Sequence, residues 1–214
     1  MLLGATGGQD GGGQGTMHRM TLDIELQYLH GFNSAALETD TKVIELRRRF
    51  TVRLINYNSF APRDAIIEQL EAAMRAQGPV AFIGTSLGGY YAAVMGKRHG
   101  CPSVMINPST DPHWGLSHYL DQWLPNPKLP DLPPRRLTPE AVASYAGQAL
   151  SPDPDDYAIP PKLIVDRADE LLDADATLRA YGGLGEPLAF EGGSHRFEHM
   201  AEALGPIQDY LYRR

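Results

Sequence analysis

The chain has 214 residues, a hydrophobic fraction of 43% and a formal net charge of −7. That length suits one domain with a substantial core, and an acidic balance without a long basic run excludes an electrostatic surface for nucleic acid. The single cysteine, Cys101, excludes a disulfide framework and a multi-cysteine metal site and reads as a buried, inert thiol, while no apolar run reaches the roughly 20 residues of a membrane span.

Residues 1–20 hold seven glycines and almost nothing to bury, so they are expected to form a flexible tail ahead of one domain over 21–214. The start of the chain lacks the basic-then-apolar layout of a signal peptide, which sets a cytoplasmic expectation. An apolar strand over 24–29 stops at His30-Gly31-Phe32-Asn33-Ser34. Thr39-Asp40-Thr41 can cap a helix over 42–50, with Val43, Leu46 and Phe50 on one face and Arg47 to Arg49 at its solvated end. A second strand covers 52–55. Pro62 suits the first residue of a helix, and Ile66, Leu70, Ala73 and Met74 form its apolar stripe up to Gly78.

The next stretch sets the chemistry. An apolar run over 80–83 ends at Gly84-Thr85-Ser86-Leu87-Gly88, and a helix-forming segment runs on to about His99. Strand, tight turn and helix around G-x-S-x-G make a nucleophile elbow. The turn strains the serine backbone, and the residues two before and two after it must be small. Both are glycine here.

A fourth strand covers 103–106 and ends at Asn107-Pro108, read as a structural turn. Twelve of the 17 prolines then fall between Pro108 and Pro161. So long a structureless loop is improbable inside a compact domain, so 108–160 is expected to carry its own elements as a small cap over the sheet. Helices are expected over 113–124 and from Thr138-Pro139-Glu140, with threonine as N-cap and proline first. His113, His118, Trp114 and Trp123 are read as the cap's own core; a His113/His118 metal site lacks a third ligand. Alternation then resumes with a strand over 163–165, a helix over 173–181, a strand over 188–190 and a closing helix over 198–212.

Six short apolar strands alternating with helices predict an α/β fold, mostly parallel, with helices on both faces of the sheet. In such a sheet the strand C-termini share one edge, where ligands bind. His30-Gly31-Phe32, Ser86, the acids between Asp166 and Asp173, and His195 all follow strands. They therefore meet in one crevice, in the order serine, acid, histidine of the α/β-hydrolases.

Five motifs, Tyr28-Leu29-His30-Gly31-Phe32-Asn33-Ser34, Gly84-Thr85-Ser86-Leu87-Gly88-Gly89-Tyr90-Tyr91-Ala92, Asn107-Pro108, Asp169-Glu170-Leu171-Leu172-Asp173 and Gly192-Gly193-Ser194-His195-Arg196-Phe197, together resemble the YqiA/YcfP-like esterases of the α/β-hydrolase superfamily. The resemblance runs from about Leu26 to the C-terminus. Where that family's acid motif usually begins Gly-Asp-Glu, this chain has Ala168-Asp169-Glu170. The resemblance implies hydrolysis of carboxylic esters or thioesters, a small-molecule acyl substrate and no cofactor.

Each role also has its own reason. Ser86 is a weak nucleophile until a base takes its proton. An imidazole titrates near neutrality, and Gly192-Gly193 free the His195 loop to turn inward. His199, four residues on, is expected to pack or face solvent. Asp166, Asp169, Glu170 and Asp173 compete to orient His195. Asp169 fits the family position and the strand-plus-loop spacing, with Asp173 second. The backbone N–H groups of Phe32 and Leu87 are expected to form an oxyanion hole, and His30 is read as a buried histidine that holds its loop. These residues together predict a serine esterase or thioesterase. A non-catalytic hydrolase-fold binding module, or the same triad acting on an amide or lactone, are the alternatives.

Overall fold

The structure is a computed structural model and describes residues 24–74 and 78–212; the expected Gly-rich tail lies outside them. The elements in chain order are β1 (Glu25–Leu29), α1 (Thr41–Leu46), β2 (Thr51–Ile55), α2 (Arg63–Ala73), β3 (Val80–Thr85), α3 (Leu87–His99), β4 (Ser103–Ile106), α4 (Pro112–Ser117), β5 (Trp123–Leu124), β6 (Arg135–Arg136), α5 (Pro139–Ala143), β7 (Lys162–Asp166), α6 (Ala174–Tyr181), β8 (Leu188–Phe190) and α7 (Met200–Tyr212). Six strands form one sheet in the order β2-β1-β3-β4-β7-β8. Every pairing within it is parallel.

Period-two alternation decides which side chain meets which helix layer. Leu26, Tyr28, Ala81 and Ile83 pack with Val43 and Leu46 of α1 and Met200, Ala203 and Ile207 of α7. Leu29 and Phe82 point the other way, onto Ile66 and Leu70 of α2 and Tyr90, Tyr91 and Met95 of α3. Each fully buried Leu, Ile or Phe contributes about 1.5–3 kcal/mol, so both faces must be covered. The α3 helix is the central one. Its residues from Leu87 to Ala93 are all buried, as are Met95 and Gly96. It ends at Gly100, whose left-handed φ of 61° suits a helix C-cap.

The chain leaves β1 toward β2 on one side and leaves β3 toward β4 on the other. The C-terminal ends of β1 and β3 therefore flank the switch point of the sheet, the usual place for a ligand crevice.

Several expected boundaries move. Pro62 caps α2 from outside rather than opening it, and α1 stops at Leu46. The helix expected over 113–124 is a six-residue α4, followed by turns and a two-stranded antiparallel ribbon, β5 with β6. Asp121 takes a left-handed φ of 61°, which a continuing α-helix does not allow, and Trp123-Leu124 pair instead with Arg135-Arg136. The Thr138 cap is formed, with its hydroxyl accepting from the Ala141 N–H at 3.2 Å. Within 108–160 the buried side chains are Pro108, Pro112, Leu116, Leu137, Ala141, Val142, Tyr145, Leu150 and Tyr157. The expectation that both tryptophans form a core there fails: Trp114 is 63% and Trp123 68% exposed, and His113 and His118 are exposed too. Cys101 is half-buried. Among the described residues, no helix is long and apolar enough to cross a membrane.

Candidate active site

Ser86 sits between the last residue of β3 and the first of α3, at φ 57° and ψ −123°. A non-glycine residue persists there only when its surroundings over-determine it. Four backbone bonds do so. The Ser86 N–H donates to the Ile106 carbonyl at 3.0 Å, and its own carbonyl accepts from Gly89, Tyr90 and Ser109 at 2.9, 3.2 and 3.1 Å. The flanking glycines have no alternative: a Cβ on Gly84 would overlap the Gly88 carbonyl, and one on Gly88 would overlap the carbonyl of Leu29. The positive end of the α3 dipole meets Ser86.

Across the crevice, Gly31 approaches so closely that a Cβ there would lie 3.4 Å from the Ser86 Cβ. Next to it, the Phe32 N–H has no hydrogen-bond partner among the described residues, and neither has the N–H of Leu87. Phe32 and Leu87 both line one cavity with Ser86 and His195. Their amides are spare donors at the place where an anionic oxygen could be held. His30, 2% exposed, stacks on Tyr57 at 4.3 Å. Its Nδ1 faces the Gly31 carbonyl at 2.8 Å and its Nε2 accepts from the Tyr57 N–H at 3.4 Å. Burial lowers its pKa to about 4, so it is a neutral ring that shapes the loop.

The four competing acids separate cleanly. The Asp169 carboxylate meets His195 Nδ1 at 3.0 and 2.8 Å, with the aspartate side chain 2% exposed. Its Oδ1 also accepts from the N–H groups of Leu171 and Leu172, each at 2.9 Å. Glu170 accepts the backbone N–H of His195 at 2.8 Å; that bond holds its carboxyl below the usual range. Asp173 caps α6, accepting from Ala176 N–H at 2.8 Å. Asp166 is fully buried and meets His199 Nδ1 at 2.8 Å. It also accepts from the backbones of Glu198 at 2.8 Å and Ser194 at 3.3 Å.

Sequence reasoning missed what holds the His195 loop. Asn107, at φ 40°, accepts the Asp166 N–H at 2.8 Å and donates Nδ2 to the carbonyls of Ser194 at 2.9 Å and His195 at 3.3 Å. Its only sequence signal is an asparagine at a strand end, a residue tolerant of left-handed backbone.

Two cavities open on either side of Ser86 and His195. One, of about 390 Å³, is apolar, with Trp114, Leu116, Tyr119, Leu171 and Leu172 in its wall. The other, of about 560 Å³, carries Asp40, Lys42, Lys128, Arg196 and Glu198. A hollow of about 610 Å³ beside α2 and α3 touches none of these catalytic candidates. Among the described residues, no group of three or more His, Cys, Asp or Glu could hold a metal ion.

The family model described as "Uncharacterised protein family (UPF0227)" matches residues 25–212. The chain belongs to the UPF0227 family. Its UPF0227 relatives include a protein of Shewanella sp. strain ANA-3, 26% identical over 189 residues that cover 86% of this chain and 97% of the relative. A Yersinia enterocolitica UPF0227 protein is 24% identical over 189 residues, 86% of this chain and 96% of that one. Among solved structures, Est1E from Butyrivibrio proteoclasticus superposes with a TM-score of 0.67 at 12% identity, covering 89% of this chain and 87% of its own. Mouse alpha/beta hydrolase domain-containing protein 10 gives 0.65 at 13% identity, covering 88% and 90%. This UPF0227 chain has the α/β-hydrolase fold.

Proposed function

We propose that the protein is a serine hydrolase of carboxylic ester or thioester bonds in small to medium acyl substrates, acting through an acyl-enzyme on Ser86. The observation that carries this reading is the Asp169–His195 contact at 2.8 Å in the wall of a cavity shared with a strained Ser86. Superposable solved structures named as a Pyrococcus furiosus esterase and as metagenome-derived lipolytic enzymes agree with it.

His195 Nε2 takes the Ser86 proton as Oγ attacks the acyl carbon. Asp169 fixes the tautomer through the Nδ1–H bond and stabilises the imidazolium. Negative charge on the carbonyl oxygen develops against the Phe32 and Leu87 amides. Collapse breaks the ester or thioester bond, and the leaving group takes the proton from His195. Water then repeats the sequence on the acyl-enzyme, returning Ser86 and releasing the acid. Residues 108–160 act as a cap over this crevice, with Trp114 at the rim of the apolar cavity.

The test is Ser86→Ala in a panel of chromogenic esters and acyl thioesters of graded chain length, beside covalent labelling by a fluorophosphonate. Wild type is expected to turn over and label, and the variant to lose turnover by several orders of magnitude while unfolding cooperatively. A wild-type protein that neither labels nor hydrolyses would be a binding module instead.

A further inference from the structure

The two cavities beside Ser86 differ in chemistry, and the polar one carries more charge than its own contacts use. It holds Lys42, Lys128 and Arg196 against Asp40 and Glu198, a surplus of one positive charge in a chain of net charge −7. Asp40 is already committed. Its two oxygens both accept from Lys128 Nζ at 2.6 Å, and Oδ2 also accepts the Leu37 N–H at 3.2 Å. Lys42 is left with one bond, from Nζ to the Arg196 carbonyl at 2.6 Å. Neither Lys42 nor Arg196 has an ion-pair partner among the described residues.

We propose that this polar arm is a subsite for an anionic group of the substrate, a carboxylate or phosphate, held by Lys42 and Arg196 while the hydrocarbon acyl portion lies in the apolar arm. The proposal rests on the serine hydrolase reading for its substrate, and names the class that reading leaves open. A loop carbonyl can be held by any neutral donor. A half-buried ammonium used for that alone costs desolvation that one carbonyl does not return. The cost shows in Lys42: burial, then the positive charge of Lys128, lowers its pKa to about 8 against the opposing attraction of Asp40 and Asp166. At pH 7 it is still charged and has donors to spare. An anion between Lys42 and the exposed, adaptable Arg196 would gain charge-assisted hydrogen bonds, bidentate from the guanidinium. The apolar arm offers the opposite environment, with Trp114 and Leu171 exposed at its rim.

The experiment uses three acetate esters at pH 7: methyl 4-acetoxybenzoate, 4-acetoxybenzoate and 4-acetoxyphenyl phosphate. Each kcat/KM is divided by that ester's own alkaline hydrolysis rate, which removes leaving-group reactivity. At least one anionic ester is expected to exceed the neutral one by about tenfold, the size of one charged hydrogen bond. Which one does so separates a carboxylate site from a phosphate site. The ratio of charged to neutral should collapse toward one in Lys42→Met. Arg196→Gln, an exposed position whose backbone bond to Lys42 survives, should lower it by a smaller factor. A wild-type ratio of one or below for both anions overturns the subsite, as does a ratio that Lys42→Met leaves intact. Calorimetric titration of Ser86→Ala with 4-acetoxybenzoate reads the site without turnover. Binding weakened about tenfold in Ser86→Ala/Lys42→Met supports the subsite even where the hydrolase reading fails. Equal binding by the two overturns it.

Discussion

The loop between β8 and α7 holds one histidine in each of two carboxylate–imidazole pairs, Asp169–His195 and Asp166–His199. Both are anchored through Nδ1 at 2.8 Å. Their carboxylates are 2% and 0% exposed. Distance and burial do not tell them apart; their surroundings do. The His195 ring lies in the wall of both cavities that contain Ser86. The His199 ring stacks on Phe190 at 4.8 Å and 7°, and its aspartate spends its other contacts on the backbone N–H groups of Ser194 and Glu198. The same pair of side chains serves an open face in one case and ties a loop in the other. An Asp–His contact is therefore not by itself a catalytic signature. What the far side of the imidazole opens onto decides.

The comparison breaks most sharply at Asp169. Asp169→Asn preserves shape but favours the wrong tautomer, so kcat is expected to fall by about 10³–10⁴, the loss found when the triad template was tested in a protease, with the melting transition retained. If Asp166→Asn were the inactive folded variant and Asp169→Asn the active one, the two roles would be reversed. Asp166→Asn is instead expected to act on stability. It removes a buried charge from three donors, at about 3 kcal/mol in denaturant unfolding, with kcat of the folded fraction within about tenfold of wild type.

A third histidine sharpens the contrast, because His30 is buried and its ring meets backbone groups rather than a carboxylate. The folded state protonates it only near pH 4, whereas the unfolded chain does so from about 6.5. The unfolded state thus binds the extra proton between those values. Stability is full above about 6.5 and is lost as pH falls toward 4. Between pH 7.5 and 5 the loss should be about 2 kcal/mol from this residue, read as the difference in pH slope between wild type and His30→Gln. An equal slope in the two would mean that the ring is charged or exposed in the fold. The smallest effect belongs to Asp173, which caps α6. Asp173→Asn should cost a few tenths of a kcal/mol, since asparagine caps nearly as well, and leave kcat unchanged. Inactivity there would shift the catalytic acid by one helical turn.

The sheet was legible because its strands are short apolar runs between turn signals. The strand over 188–190 coincides with the observed element, and the Ser86 turn follows from two glycines whose absent side chains leave room for backbone. The 108–160 segment was not legible in detail. Its apolar residues include two exposed tryptophans, so apolarity there does not mark a core, and the helix that periodicity extends to 124 gives way to a left-handed Asp121 and a strand pairing with Arg135-Arg136. The site's groups are named by motif and order. What links them is harder to read: Asn107 reaches Ser194 and His195 over 87 and 88 positions, and Lys42 reaches Arg196 over 154. Such contacts depend on the assembled sheet, and no local pattern announces them.

The backbone of Ser86 carries a further consequence, for the history of the family. A left-handed, non-glycine residue stores about 1–3 kcal/mol, which glycine would relieve at a smaller entropic cost. Selection for folding alone would favour glycine at 86, and the nucleophile role proposed for its hydroxyl would oppose that. A lineage that stopped using this crevice for turnover would therefore drift first at this position. Glycine at position 86, in a relative whose Gly84 and Gly88 are intact, is the mark by which such a retired copy could be recognised from its sequence.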